Sequence, residues 1–259
     1  MKKKTKASKH RNPNPKKSVR TLAIDIGGTG VKAIVLDDKG HPVTERGRIV
    51  TPRPATPQAI LDTIAELAKG QGVFDRVSIG FPGVVRKGVT ITAPNLDPSW
   101  KGFDLVHHVE QWLGKPVRAA NDADVQGFGA IQGEGVELVV TLGTGFGSAL
   151  FVDGRLVPNL EIAHHPFRSK KTYEEELGDK VLKEIGKKKW NHRLKLAIES
   201  LEALFNYDRL YMGGGNAKKV TLELPENVTL ISNVAGLLGG IAFWQMDESP
   251  LVKMKVARS

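Results

Sequence analysis

Two stretches of this chain follow the same pattern: an apolar strand, a turn rich in Gly and Thr, and a second apolar strand that ends at a turn containing Asp. The first reads AIDIGGTGVKAIVLDD (residues 23–38), and the second reads VVTLGTGFGSALFVDG (residues 139–154). The pattern begins each of two halves of similar size. A chain that repeats such a unit and alternates strands with helices is expected to form two α/β domains of related design, with a cleft between them.

Hydrophobic periodicity predicts helices between and after these strands. The predicted helices cover about residues 56–69, 105–113, 191–205 and 234–246, and a further strand covers residues 228–231. We place the N-terminal domain at residues 21–120 and the C-terminal domain at residues 121–233. At 259 residues the chain is long enough to bury a core in each of them.

The net charge of +10 comes almost entirely from the N-terminus. Residues 1–20 contain seven Lys and two Arg with no acidic residue, so the rest of the chain is close to neutral. We expect a disordered basic tail over residues 1–20, and we expect the folded body to bind neither nucleic acid nor membrane. The chain has no Cys, which excludes disulfides and suits the cytoplasm.

The two glycine turns are candidates for phosphate binding, although neither has a standard phosphate-loop sequence. A P-loop or a dinucleotide fingerprint leads into a helix, whereas both turns here lead into strands. The alternative is two ordinary glycine hairpins. The exposed amides of a tight turn can hold phosphate oxygens, and Asp25, just before the first turn, could face a phosphate-bound Mg²⁺. A third cluster, MGGGNAKK (residues 212–219), follows a strand and is expected to start a helix.

Polar residues at two further places could carry chemistry. Asp122 stands where a strand leads into a helix, and Asn or Asp at such a junction usually caps the helix. Asn121 or Asp124 could instead be the cap while Asp122 faces a substrate. The stretch EIAHH (residues 161–165) could supply metal ligands, catalytic groups, a small-molecule pocket or surface residues. A metallohydrolase is disfavoured, because adjacent histidines point apart and no second His/Asp cluster has ligand spacing.

The motifs form an ordered set that resembles one family. In chain order they are DIGGT (25–29), PN (94–95), ND (121–122), GTG (143–145), ExxH (161–164) and GGG (213–215). Over residues 21–246 this order resembles the ROK family of sugar kinases, and TPRPATP, FPGVV, AHHPF and NVAGLLGG are most similar to its polyphosphate glucokinase branch. The resemblance implies two actin/hexokinase-like (ribonuclease H-like) domains with an interdomain cleft. It also implies that the last helix, residues 234–246, packs back onto the N-terminal domain.

The resemblance implies a role for each matching residue. The phosphoryl donor would be bound by Asp25, Gly27, Gly28, Thr29, Lys32, Gly143, Thr144, Gly145, Gly213, Gly214 and Gly215. The sugar would be bound by Asn95, Asn121, Asp122, Glu161, His164 and Glu174. Asp122 would be the general base, and Asp25 would meet Mg²⁺ through the donor phosphates.

This chain departs from the family in one respect, which concerns zinc. Most members carry a zinc site built from a His and a Cys-rich motif, and without Cys this chain is expected to have no zinc site. His164 is then expected to bind the sugar instead of a metal. The family glutamate that follows the cysteines must lie in TYEEEL (residues 172–177), where Glu174 is preferred over Glu175.

The branch also implies the reaction. A phosphoryl group would pass from polyphosphate and/or ATP to the 6-hydroxyl of glucose, with mannose as a further acceptor and Mg²⁺ as cofactor, in a cytoplasmic homodimer. Basic residues that could form a polyphosphate track, or simply a solvated surface, are Arg168, Lys170, Lys171, Lys187, Lys188, Lys189, Lys218 and Lys219. The alternatives are a strictly ATP-dependent glucokinase, an N-acylhexosamine kinase, and a non-catalytic sugar-binding regulator.

Overall fold

A five-stranded sheet forms the N-terminal half of the structure, a computed structural model that describes residues 18–231 and 234–245. The strands of this half are β1 (Thr21–Ile26), β2 (Val31–Leu36), β3 (Gly47–Ile49), β4 (Arg76–Phe81), β5 (Val85–Arg86), β6 (Val89–Thr90) and β7 (Val117–Asn121). Their order in the sheet is β3-β2-β1-β4-β7, and β5 and β6 form a separate hairpin. Strand β1 pairs antiparallel with β2 and parallel with β4.

The C-terminal half repeats the same sheet topology. Its strands are β8 (Val136–Leu142), β9 (Phe146–Val152), β10 (Arg155–Val157), β11 (Pro166–Arg168), β12 (Lys171–Thr172), β13 (Arg209–Gly213) and β14 (Val228–Leu230). The order is β10-β9-β8-β13-β14, with β8 antiparallel to β9 and parallel to β13, while β11 and β12 pair separately. The glycine turns that the sequence repeats therefore join the equivalent central strands of two equivalent sheets.

Six helices are present in the described residues. They are α1 (Pro57–Gly70), α2 (Leu105–Leu113), α3 (Asp122–Phe128), α4 (Tyr173–Leu177), α5 (Asp179–Phe205) and α6 (Val234–Gln245). Helix α1 begins where expected, because the Thr56 hydroxyl accepts a hydrogen bond from the amide of Ala59 and Pro57 occupies the first turn. None of these helices is both long and apolar enough to cross a membrane.

Two sequence-based expectations about helices need correction. Helix α5 begins at Asp179 instead of residue 191, and it is interrupted at Gly186, whose φ of 77° a side chain would disfavour. The third glycine cluster starts only a 3-10 turn, Ala217–Lys219. The amide group of Asn191 in α5 explains this end, because it donates to the carbonyl of Lys219 (3.0 Å) and accepts from the amide of Thr221 (2.7 Å). These bonds to α5 replace those that would continue a helix.

Each sheet packs its own apolar core, and α6 lies between the two halves. Its tight contact with α3 requires Gly239, because an added Cβ would overlap with the carbonyl of Val125. On the other side, Ser78 of β4 donates to the carbonyl of Gly240 (2.5 Å) and accepts from the indole of Trp244 (2.8 Å). Helix α6 therefore ties the N-terminal sheet to the helix that carries Asp122.

Part of the predicted organisation lies outside the described residues. This applies to residues 1–17 of the basic tail and to Met246 at the end of the last predicted helix. The division of the chain into residues 21–120 and 121–233 stays a prediction, and strand β7 crosses this boundary by one residue.

Candidate active site

A cavity of about 550 Å³ opens between the two sheets. The predicted site residues that line it are Asp25, Gly27, Gly28, Thr29, Lys32, Asn95, Asn121, Asp122, Gly143, Thr144, Gly145, Glu161, His164, Glu174, Gly214 and Gly215. Of the predicted set, Gly213 alone does not line the cavity; it is the last residue of β13, and a Cβ added there would face the side chain of Ile231. Residues far apart in the sequence thus meet around one space.

The first glycine turn is closed by its own backbone and held from β3 and the loop after it. The amide of Gly27 donates to the carbonyl of Gly30 (3.1 Å), and the Thr51 hydroxyl donates to the carbonyl of Gly27 (2.5 Å). Asn95 lies beside this turn, since a Cβ added at Gly28 would stand 3.6 Å from the Cβ of Asn95. The turn is therefore preorganised, with a predicted sugar residue next to it.

The register of β1 and β2 brings Asp25 and Lys32 together. They are opposite residues of the antiparallel pair, and Lys32 Nζ lies 2.7 Å from Asp25 Oδ2. Both side chains line the cavity at the mouth of the first turn. A carboxylate and an ammonium group therefore stand where the predicted donor phosphates would be bound.

The second glycine turn is fixed by different means. The amide of Gly143 donates to the carbonyl of Gly145 (3.1 Å), and the amide of Asp179 at the start of α5 donates to the carbonyl of Gly143 (3.0 Å). The Glu174 side chain packs directly on this turn, because a Cβ added at Gly145 would overlap with its Oε2. This close approach explains why the position is a glycine.

Asn121 and Asp122 divide the two roles that the sequence left open. Asn121 is the N-cap of α3, since its Oδ1 accepts from the amide of Ala123 (2.8 Å). Asp122 follows as the first helical residue and lines the cavity. Burial raises the pKa of Asp122 to about 7, and the nearby charges of Asp25 and Glu161 add to this effect. A carboxyl group with this pKa can take up a proton near neutral pH.

Asp124 is a buried carboxyl group for which the sequence suggested only a capping role. It does not cap α3, because Asn121 does so. Its Oδ1 has no hydrogen-bond partner among the described residues, while the backbone of Asn159 hydrogen bonds to the carboxyl group. Burial raises the pKa of Asp124 to about 8, and the charges of Glu161 and Asp122 raise it further. A residue two positions after Asp122 at the start of a helix could have been suspected of lying beneath the site.

Glu161 and His164 flank a 3-10 turn at the edge of the cavity. Glu161 precedes the turn Ile162–His164, and its Oε2 lies 3.8 Å from His164 Nε2. Burial raises the pKa of Glu161; His164 opposes the shift and Glu174 adds to it. Among the described residues, no group of three or more His, Asp or Glu side chains is arranged to hold a metal ion. The absence of a zinc site stays a prediction.

A capping box gives Glu174 and Glu175 different surroundings. The Thr172 hydroxyl accepts from the amide of Glu175, and the Glu175 carboxylate accepts from the amide of Thr172 (2.8 Å). Glu175 is therefore used to begin α4, and Glu174 lines the cavity. The Thr-x-x-Glu spacing of a capping box was visible in the sequence and could have indicated the role of Glu175.

The predicted basic track is not at the cavity. None of its eight residues lines that space, and Arg168 instead lies 2.7 Å from the buried carboxylate of Glu176, which Arg193 also approaches at 3.2 Å. The loop residue Trp100 is also not at the cavity: it is fully buried in the core of the N-terminal half, where its indole N–H donates to the carbonyl of Ala55 (2.8 Å).

Sequence reasoning missed a group of arginines at the first glycine turn, Arg46, Arg48 and Arg53, which we call the arginine rim. Arg48 donates to the carbonyl of Thr29 (3.3 Å), and Arg53 donates to the carbonyl of Gly28 (2.8 Å). Arg46 and Arg53 line the cavity. Their place depends on the pairing of β3 with β2, which no motif revealed.

Comparisons with known proteins agree with this geometry. A ROK family profile matches residues 21–165. The polyphosphate glucokinase of Mycobacterium tuberculosis H37Rv is 34% identical over 84% of this chain and 88% of its own length, and that of Mycobacterium leprae is 35% identical over 85% and 73%.

Solved structures extend the similarity to the whole fold. The inorganic polyphosphate/ATP-glucomannokinase of Arthrobacter sp. strain KM superposes with a TM-score of 0.79 and 30% identity, covering 88% of this chain and 100% of its own. A ROK family glucokinase from Streptomyces griseus shares the fold. It superposes with a TM-score of 0.70 and 22% identity, covering 86% of this chain and 98% of its own. The predicted actin/hexokinase-like fold is therefore confirmed, and the chain belongs to the ROK family.

Proposed function

We propose that this protein is a hexose kinase that transfers a phosphoryl group from polyphosphate and/or ATP to the 6-hydroxyl of glucose. The observation that carries the proposal is one cavity lined by both glycine turns and by Asp122. The similarity to polyphosphate glucokinases over most of the chain supports this choice of donor and acceptor. Cytoplasmic localisation and a homodimeric assembly stay predictions.

Asp122 acts as the general base in this proposal. As the sugar O6 bonds to the donor's terminal phosphorus, the bond from that phosphorus to the leaving phosphate oxygen breaks. The hydroxyl proton passes to the Asp122 carboxylate. Such transfers have loose transition states, so the base only needs to accept the proton along the path while the site positions the groups. A pKa of about 7 leaves a substantial ionised fraction of Asp122 at neutral pH.

Four side chains of mixed hydrogen-bonding character hold the sugar. Asn95 both donates and accepts, while Glu161 and Glu174 accept from hydroxyl groups, and His164 does either according to its tautomer. All four line the same cavity as Asp122. Because each sugar hydroxyl would need its own partner in this pocket, an analogue that lacks one leaves a polar group unpaired and is rejected.

The two glycine turns and Lys32 bind the donor phosphates. Backbone amides at tight turns are preorganised donors to phosphate oxygens, and Lys32 adds a positive charge. Asp25 fits a Mg²⁺ site of the kind that uses one or two carboxylates together with substrate phosphates, since its carboxylate lines the cavity beside the first turn. When bound there, the ion would neutralise charge on the phosphates.

A donor-by-sugar matrix tests the proposal. The full chain is assayed with Mg²⁺ and either ATP, GTP or long-chain polyphosphate against glucose, mannose, glucosamine and N-acetylmannosamine, and hexose 6-phosphate is measured. The expected result is fastest turnover with glucose and activity with polyphosphate. Activity with ATP alone would disprove the polyphosphate assignment. No turnover with any pair would leave a sugar-binding regulator as the better description.

A further inference from the structure

Two guanidinium groups of the arginine rim, those of Arg48 and Arg53, contact the first glycine turn, and the third arginine, Arg46, lines the same cavity. The Arg48 side chain packs against Gly30, since a Cβ added at Gly30 would lie 2.8 Å from Arg48 Nε. Arg53 donates to the carbonyl of Gly28. Arg46 makes no hydrogen bond or ion pair with the rest of the described chain. All three side chains are exposed. The rim therefore presents N–H donors to solvent at the edge of the cavity.

No carboxylate neutralises the rim within the described ranges. Among the other basic side chains, Lys32 at the cavity pairs with Asp25, while Arg168 and Arg193, which do not line the cavity, pair with Glu176. Guanidinium groups stay protonated at all relevant pH values, so the rim keeps its positive charge. An arrangement of this kind is stabilised by a ligand that brings several negative charges.

The location of the rim limits what that ligand can be. Arg46 and Arg53 line the same cavity as the two glycine turns, but on the N-terminal side, whereas Gly214 and Gly215 line it from the C-terminal half. Acidic side chains occupy the part of the cavity around Asp122. An anion at the rim would therefore lie next to the first glycine turn, whose Gly28 carbonyl Arg53 contacts.

The planar guanidinium fork matches the spacing of phosphate oxygens and can donate two N–H groups to one phosphate. A chain of phosphates carries a negative charge at each unit, so it could meet successive arginines of the rim. A nucleoside has no such charge beyond its own phosphates. The rim is therefore suited to inorganic polyphosphate more than to ATP.

We propose that Arg46 and Arg53 bind phosphate units of an inorganic polyphosphate donor beyond the one that is transferred, and so determine donor preference. This inference rests on the proposed function. It assigns the outer donor site to the N-terminal half instead of the lysine-rich surface that the sequence suggested.

The test compares the double variant Arg46→Gln/Arg53→Gln with wild type. We expect kcat/KM for long-chain polyphosphate to fall about tenfold for each arginine, as removal of a charge-assisted hydrogen bond would do. The loss with ATP is expected to be at least tenfold smaller. The preference for long-chain polyphosphate over tripolyphosphate should also decrease, because the outer units lose their partners.

The matched control is Arg86→Gln/Arg155→Gln, which removes the same charge from exposed arginines that do not line the cavity. An equal loss of kcat/KM for long-chain polyphosphate in this control would mean that the rim acts only through long-range electrostatic attraction. Equal losses with ATP and polyphosphate in the rim variant would mean that the arginines only hold the turn. Either result, or no change at all, overturns the proposal.

Binding of long-chain polyphosphate without sugar separates this inference from the proposed function. The dissociation constant should rise about 10–100-fold in the rim variant relative to wild type and the control. If wild type binds polyphosphate through the rim but phosphorylates no hexose, the proposed reaction fails and the rim assignment stands. If the variant binds as wild type does, the rim assignment fails whatever the activity.

Discussion

The two glycine turns occupy equivalent positions in the two sheets, yet their surroundings differ in charge. The first has Lys32 and the arginine rim around it. The second has no Lys or Arg among the described residues that line the cavity beside it, and the carboxylate of Glu174 packs on Gly145 instead. The fold was duplicated, but the charges at the two turns were not.

This difference indicates separate tasks for the two turns. A turn bordered by cations can hold several phosphate charges, whereas a turn packed against a carboxylate can offer amides to a phosphate while that carboxylate faces a sugar. Asp122 lies between them at the start of α3. Four experiments with substituted variants test this division of labour, from the largest expected effect on activity to the smallest.

Asp122→Asn should remove the reaction that both turns serve. We expect kcat to fall about 10²–10⁴-fold, because general bases typically contribute that much. The fold should be retained, since Asn121 caps α3. In wild type, kcat/KM should decrease below about pH 7, where the Asp122 carboxyl becomes protonated. Steady-state kinetics and circular dichroism measure both properties, with the exposed Asp38→Asn as control. Turnover close to wild type would disprove the base assignment.

Glu174→Ala and Glu175→Ala test whether the second turn serves the sugar. Loss of the Glu174 carboxylate should raise the KM for glucose about 10–100-fold, the effect expected when a hydrogen bond to a charged group is removed. Glu175→Ala should leave this KM unchanged and lower the free energy of unfolding by about 0.5–1 kcal/mol, because it breaks the capping box. Kinetics and thermal unfolding of both variants distinguish the two roles. The reverse pattern would exchange the assignments.

Gly145→Ala and Gly28→Ala compare the turns directly. An added Cβ at 145 would displace the Glu174 carboxylate, whereas one at 28 makes an ordinary contact with Asn95 at 3.6 Å. We expect kcat/KM for glucose to fall about tenfold in Gly145→Ala, which corresponds to a loss of roughly 1–2 kcal/mol of binding free energy. In Gly28→Ala we expect kcat/KM to change little. Both retain the backbone amide. Equal losses would show that the turns tolerate side chains alike and that Glu174 does not depend on Gly145.

The sequence predicted the parts of the site that are local in the chain. The strand, glycine turn and strand around Gly27, and the strand–helix junction at Asp122, are each set by neighbouring residues, and their order matched one family. The arginine rim escaped prediction because it depends on the register of β3 against β2 and on the loop that follows. The sequence could not show that the basic track lies away from the cavity, because surface lysines carry no information on which face they occupy. Nor could it show that Arg168 pairs with the buried carboxylate of Glu176.

The smallest effect on activity is expected from Asp124→Asn, because Asp124 does not line the cavity, and this variant tests the protonation of the buried Asp124 carboxyl group through stability. The pKa of Asp124 is about 8 in the folded protein and about 3.9 in an unfolded chain. Between these values the folded state binds a proton that the unfolded state lacks, so stability falls as pH rises through this window. Asn has no such proton. The variant should therefore gain stability relative to wild type by about 4 kcal/mol between pH 5 and pH 8, measured by denaturant unfolding at each pH. Asp122 is present in both proteins, so its titration largely cancels. A pH-independent difference would mean that Asp124 is already ionised in the folded protein at pH 5, next to Asp122 and Glu161.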